Sequence, residues 1–287
     1  MSPHPRLSMN QATLKYASLE EALRTCADQG YQSIGLWREP VAEVGLEAAV
    51  RQLRASGLRF SSLCRGGFLT TDDDDEFARS VADNERAIEE TAALAAAGAA
   101  GSRPVLVLVA GGIPRGGTVA AARERFFEGL LRLMPRAAEA GVTLAIEPLH
   151  PMYASDRAVI STLEQALDMA EATESAWAGV VVDAFHVWWD PSVLAQIRRA
   201  GAAGRIASYQ VCDWWAPLEE DVLLSRHQPG SGVVDFAEMT RVVEGAGYTG
   251  DIEVEIFNKA IWADDPEVTA RNTSEAFRRS VVPSLRG

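Results

Sequence analysis

Three cysteines in 287 residues, Cys26, Cys64 and Cys212, are too few and too scattered for a disulfide framework or a thiolate zinc site. They point to a reducing compartment. Basic residues are also short: 27 Lys and Arg stand against 40 Asp and Glu, a formal charge of −13. A chain that binds nucleic acid by neutralising phosphates shows the opposite balance, so no nucleic-acid partner is expected. No apolar run approaches the ~18 residues that a membrane span needs. The N-terminal MSPHPRLSMNQATL has no basic region followed by an apolar one. A soluble, cytoplasmic protein without a membrane partner is expected. Hydrophobic residues at 47% and charged residues at 23% are ordinary for a globular chain, so a sizeable core can form.

What the chain does have is a regular alternation. Short aliphatic or β-branched runs predict strands at Leu7–Asn10, Ser33–Trp37, Arg59–Leu63, Val105–Val109, Thr143–Glu147, Gly179–Asp183, Ile206–Val211 and Ile252–Glu255. Helical periodicity fills the gaps near 18–29, 41–55, 73–97, 118–140, 162–174, 191–200 and 235–246, with a last helix near 265–283. Ser18 with Glu21 reads as a capping box, and Gly30, Gly57, Gly141 and Gly247 fall where helices end. Eight strand–helix units of about 36 residues fit a (β/α)8 TIM barrel. The competing open sheet would carry a glycine fingerprint after the first strand, where Asn10-Gln11-Ala12-Thr13 stands instead. No linker or composition break divides the chain, so 1–287 reads as a single domain.

Some eye-catching segments have plain readings. Asp72 to Glu76 lacks the alternating spacing of a calcium loop and suits the positive end of a helix dipole. The pairs Gly111-Gly112 and Gly116-Gly117 lack the Lys-Ser/Thr of a phosphate loop and read as a lid or turn.

In a barrel the chemistry sits at the C-terminal ends of the strands. Strand five ends LAIEPLH, with Glu147 last before the proline. Strand six ends VVVDAFH, with Asp183 at the same level and His186 three residues on. Strand seven carries Gln210, with Asp213 just beyond, and strand eight carries Glu253 and Glu255, two apart and so on one face. Buried carboxylates must be paired or neutralised, and several converging on one mouth repel. A divalent cation relieves that repulsion, and oxygen donors favour Mn²⁺, Mg²⁺ or Co²⁺ over a thiolate-selective metal. Single acids could instead pair with Arg at the rim.

These residues resemble the sugar phosphate isomerase/epimerase family of xylose isomerase-like barrels, which includes inosose isomerases, ketose 3-epimerases and dehydratases. The resemblance covers nearly the whole chain and is carried by SSLCRGGF at 61–68, IEPLHP at 146–151, VVDAFHVWWDP at 181–191, PGSGVVD at 229–235 and GYTGDIEVEIF at 247–257. It implies a divalent metal, Mn²⁺ before Mg²⁺ or Co²⁺, on Glu147, Asp183, Gln210 and Glu255. It also implies substrate contacts from His186 and from Arg226, ahead of the PGxG turn. One position departs: the third ligand is usually His and here is Gln210. An amide oxygen still coordinates a hard cation, more weakly, and a metal-free descendant is the sharper alternative. His150, His186 and His227 lie near the mouth and could compensate.

The implied reaction is proton removal next to a carbonyl by one of Glu147 and Glu255 and proton return by the other, giving isomerisation or epimerisation. A β-hydroxyl or glycoside oxygen would turn the same site to dehydration or elimination. A sugar-binding protein without catalysis is the alternative from another class. An endonuclease on abasic DNA shares the barrel but fits poorly with four His and the acidic charge. Trp37, Trp188, Trp189, Trp214, Trp215 and Trp262 fall on the catalytic side, with Trp37 and Trp188 as candidates for packing on the ring of a keto-sugar, cyclitol or glycoside. Trp also favours interfaces, which leaves a homo-oligomer open. Arg65 and Arg38 stand at strand ends, as holders of substrate oxygens or as ion-pair partners.

Overall fold

The alternation of β-branched runs with amphipathic segments produces the expected architecture in a computed structural model that describes residues 2–286. Met1 and Gly287, counted in the expected domain, lie outside the described residues. Eight strands run parallel: β1 (Leu7–Asn10), β2 (Ser33–Trp37), β3 (Arg59–Gly67), β4 (Val105–Val109), β5 (Thr143–Ile146), β6 (Ala178–Asp183), β7 (Ile206–Val211) and β10 (Ile252–Val254). They close into a barrel in the order β1-β10-β7-β6-β5-β4-β3-β2. A hairpin of β8 (Asp213–Trp214) and β9 (Arg226–His227) lies between the seventh and eighth barrel strands in sequence.

The helices form the outer ring because their apolar stripes need a partner, and the outward faces of the strands supply it. Their ends follow the local chemistry. Ser18 accepts from the Glu21 backbone N–H at 3.2 Å to open α1 (Leu19–Asp28). Asp73 does the same for α4 (Asp74–Ala97), accepting from Glu76 at 2.7 Å, so the acidic run is a helix cap; Asp74 also pairs with Arg125. Where one helix was expected over 41–55, two occur, α2 (Arg38–Val44) and α3 (Leu46–Ser56). Gly45, at φ +82°, divides them.

Inside the barrel, Cys64, Val105, Val107, Ala145, Val181 and Ala207 form a small apolar cluster. Much of the remaining interior is polar. Ser8 Oγ meets Ser61 Oγ at 2.8 Å, and Asn10 Nδ2 donates to Glu253 Oε2 at 2.9 Å. A polar interior is costly unless its groups are satisfied, and at these two contacts strands far apart in sequence satisfy one another.

Candidate active site

Strand alternation decides which side chains reach the interior of the mouth. In β7 Tyr209 turns outward, its hydroxyl 2.9 Å from Thr240 Oγ1 on helix α9 (Phe236–Gly245), so Gln210 turns inward. Gln210 pairs in register with Asp183 of β6 and Glu253 of β10. Glu147 follows β5 directly, its N–H still on the ladder to Leu108 at 3.0 Å, and Glu255 follows β10. Asp183 is also a cap: its Oδ1 accepts from the Phe185 N–H at 2.8 Å and starts the one-turn helix α7 (Ala184–Val187), which carries His186. The ion-pairing side chains Asp183, Glu255 and Arg226 are all buried, as are Glu147, His186 and Gln210.

Glu147, Glu255, His186, Arg226, Arg65 and Trp37 line one pocket together with Tyr153, Arg157, Phe68 and Phe257. The free space among them is about 50 Å³, so a ring must shift some of these side chains to enter. Phe68 holds a strained backbone at φ +56°, and the Arg65 guanidinium lies 4.3 Å from its ring centroid. Trp37 donates from Nε1 to Asn10 Oδ1 at 2.8 Å, which fixes the plane of its indole. Trp188 is placed differently. It packs on Trp214 at 5.5 Å, in an aromatic group with His150, and does not line the pocket. Arg38 is an ion-pair partner of Asp83 and Glu90. His150 and His227 are taken up by Trp and Ser neighbours.

Arg226 sits at the centre. Its Nη1 donates to Asp183 Oδ2 at 3.1 Å and Glu255 Oε2 at 2.9 Å, and its Nη2 lies 2.8 Å from His186 Nε2. The acids respond unequally. Burial, with the charges of Asp183 and Glu255, pushes the Glu147 carboxyl well above the usual range, so it keeps its proton. Burial also raises Glu255, but the Arg226 cation opposes it and the result is about 7. Burial and the adjacent guanidinium hold His186 well below its ordinary value, so the imidazole is neutral.

Glu147, Asp183 and His186 bring ligand atoms within 4.8 Å of one another, the group among the described residues that could hold a metal ion. Glu255, expected beside Glu147 and Asp183, is not in it. Both amide atoms of Gln210 are buried without a hydrogen-bond partner. Tyr153, Arg157 and Phe68 were not expected in the pocket, because loop residues carry no strand-end signal.

Residues 23–280 match the model of the xylose isomerase-like TIM barrel family. The chain belongs to that family. Protein SMc04130 of Sinorhizobium meliloti 1021 is similar at 42% identity and TM-score 0.91, over 96% of this chain and 98% of that one. The IolI protein, in a structure with a bound zinc atom, shares the fold at 19% identity and TM-score 0.83, over 98% and 100% of the two chains. Over 139 residues the family member is 34% identical to a 3-dehydroshikimate dehydratase of Pseudomonas aeruginosa, covering 46% of this chain and 20% of that one. Over 145 residues it is 28% identical to the L-ribulose-5-phosphate 3-epimerase UlaE of Escherichia coli, covering 50% and 46%. The chain thus spans less than half the length of these curated relatives.

Proposed function

We propose that this family member is an isomerase or epimerase of a keto-sugar or inosose, working by proton transfer at the carbon next to a carbonyl. One observation carries the reading: two buried carboxyls, Glu147 and Glu255, line the same pocket, both with raised but unequal proton affinity, because Arg226 contacts Glu255 and not Glu147. A pair of acids pushed apart in this way divides the labour of base and acid. Glu255, ionised at and above neutral pH, takes the proton from carbon. Glu147, which holds its proton, returns one to the same or the neighbouring carbon. The epimerase relative supports this substrate class, and Trp37 and Phe257 offer aromatic faces to the apolar side of a sugar ring.

The developing oxyanion needs positive charge or N–H donors. Arg226 lines the pocket with its Nε–H buried and unpartnered, Nη1 being spent on Asp183 and Glu255, and Arg65 lines the same pocket. A divalent cation, Mn²⁺ in preference to Mg²⁺ or Co²⁺, would be held by Glu147, Asp183 and His186 only in competition with Arg226, which contacts the last two. When bound it supplies Lewis-acid polarisation of a carbonyl oxygen.

A second reading has its own support in the 34% identity to a dehydratase. If the substrate carries a hydroxyl β to the abstracted proton, the pair expels water: Glu255 takes the C–H proton and Glu147 protonates the leaving hydroxyl. The test for both is deuterium uptake from D2O at the carbon next to the carbonyl, followed by NMR over a panel of keto-sugars, inososes and 3-keto glycosides. Exchange with return of starting material or its epimer supports the first reading, and an enone product the second. No exchange with any of them would overturn both.

A further inference from the structure

The contacts of Arg226 differ from those of a side chain that waits for substrate. Its backbone is fixed by the β8–β9 hairpin, where Trp214 and Arg226 pair, and its carbonyl accepts from Asn258 Nδ2 at 3.1 Å. Its guanidinium is stacked between two rings, Cζ lying 4.5 Å from the Phe185 centroid and 5.3 Å from that of Phe257. The planar head bridges a carboxylate from β6 to one that follows β10, with Nη1 also 3.7 Å from Cys212 Sγ. A cation shared by Asp183 and Glu255 would have to stand where Nη1 stands.

Two of the other donors are also engaged, while the amide of Gln210 is not. Asp183 spends Oδ1 on the Phe185 N–H and Oδ2 on Arg226. His186 faces the His150 N–H with Nδ1 at 3.2 Å and the guanidinium with Nε2, so both ring nitrogens point at N–H donors. The imidazole offers no lone pair to an ion unless one of those contacts gives way, and Asp183 can serve an ion only alongside the guanidinium already on its Oδ2. The third-ligand position is the neutral amide of Gln210, a poorer ligand than imidazole for a first-row ion.

We infer that Arg226 is the resident cation of this site, its guanidinium standing where the family's divalent ion would be shared by the strand-six and strand-eight carboxylates. Arg226 and a divalent ion then compete for Asp183 and His186, and the proton-transfer chemistry runs on the guanidinium. The first statement concerns binding alone; the second rests on the proposed function. In the step itself the C–H bond breaks, its proton goes to Glu255, and the electron pair moves to the carbonyl oxygen. The N–H groups of Arg226 receive that oxygen by hydrogen bonds, and a carbon-bound proton is restored from Glu147.

Mn²⁺ titration of chelator-stripped protein, read by the EPR signal of free Mn²⁺, tests the binding statement. The wild-type chain is expected to show no saturable site below about millimolar Mn²⁺ (about −4 kcal/mol at that limit). Gln210→His alone should leave that unchanged, because Arg226 still holds the other donors. Arg226→Met with Gln210→His should tighten Mn²⁺ binding by about 100-fold, with a Mn²⁺-dependent rise in Tm that the wild type lacks. Stoichiometric micromolar Mn²⁺ in the wild type, or a double variant that binds no better, overturns the inference. If the double variant does not fold, the wild-type titration decides alone. The deuterium-exchange assay on stripped wild-type protein separates this from the functional reading. Exchange that survives stripping supports Arg226 as the working cation. Exchange lost on stripping and restored by Mn²⁺ overturns it and leaves the proposed function standing. No exchange in either state fails the proposed function, and the titration still decides the inference.

Discussion

The two ends of the barrel treat buried acids differently. At the N-terminal end Asp251 has its own arginine, Arg59 at 2.6 Å, and a serine, Ser33 Oγ at 2.8 Å; Glu244 is matched to Arg6 at 2.6 Å. At the C-terminal end Asp183 and Glu255 share one guanidinium and Glu147 stands beside them, and the proton affinities of all three carboxyls are raised. The roomier cleft is at the matched end, about 770 Å³, lined by Arg6, Arg59 and several glycines. Volume therefore does not mark the proposed site, which is set apart by its uncompensated charge. A pairing that is complete holds the fold, and one left short by design can take up a proton or a ligand.

The largest test of that contrast removes the base. Glu255→Gln should lower the exchange rate by about 10²- to 10⁴-fold while the unfolding transition stays cooperative, read by NMR exchange and denaturant unfolding. Exchange within a few-fold of wild type would erase the functional side of the comparison. At the other end, Asp251→Ala strands Arg59 and should cost about 2–3 kcal/mol in denaturant unfolding, with the exchange rate of the folded fraction unchanged. A rate loss there would mean that the ends are not independent.

Next in size is the pH profile. With Glu255 at about 7, its base form fills as pH rises, so exchange should climb about ten-fold per unit below that value and level off above it. Stability should move the opposite way. A carboxyl whose folded value is raised holds its proton after the unfolded chain has released it, so its contribution is full below about 4.5 and is lost as pH rises through about 7. Glu255→Gln should remove that part of the stability slope; an unchanged slope between pH 5 and 7 would place it elsewhere. The smallest effect is expected from Trp37→Phe, which keeps a ring but loses the bond to Asn10. A few-fold rise in KM with kcat kept, about 1 kcal/mol or less, is the outcome to look for.

Much of this was legible in the sequence where a local rule was sufficient. β1, β2, β4 and β7 fall on the expected residues, each a short run containing aliphatic residues and closed by polar neighbours or turn residues. β3 was read as ending at Leu63 and runs on to Gly67, because the glycines of CRGG signal a break. Here Gly67 is a packing requirement: any Cβ would collide with the Val109 carbonyl. Strand-end acids pointed to Glu147, Asp183 and Glu255 by the same logic that places barrel chemistry at strand ends. The position of Arg226 between two of them was not legible. It depends on a hairpin whose strands are two residues each, too short for periodicity to register, and on an excursion of eleven residues between them.

That hairpin is tied down by one carboxylate. Asp213 accepts from the N–H groups of Trp214, Gly230 and Val234 at 2.9, 2.8 and 3.1 Å, binding the PGSG turn to the end of the seventh barrel strand. The reach of Arg226 into the mouth is thus set outside the barrel wall, like the length of a tether fixed at a single knot. Every barrel strand can keep its register while the guanidinium that Asp183 and Glu255 share is positioned from a loop outside the wall.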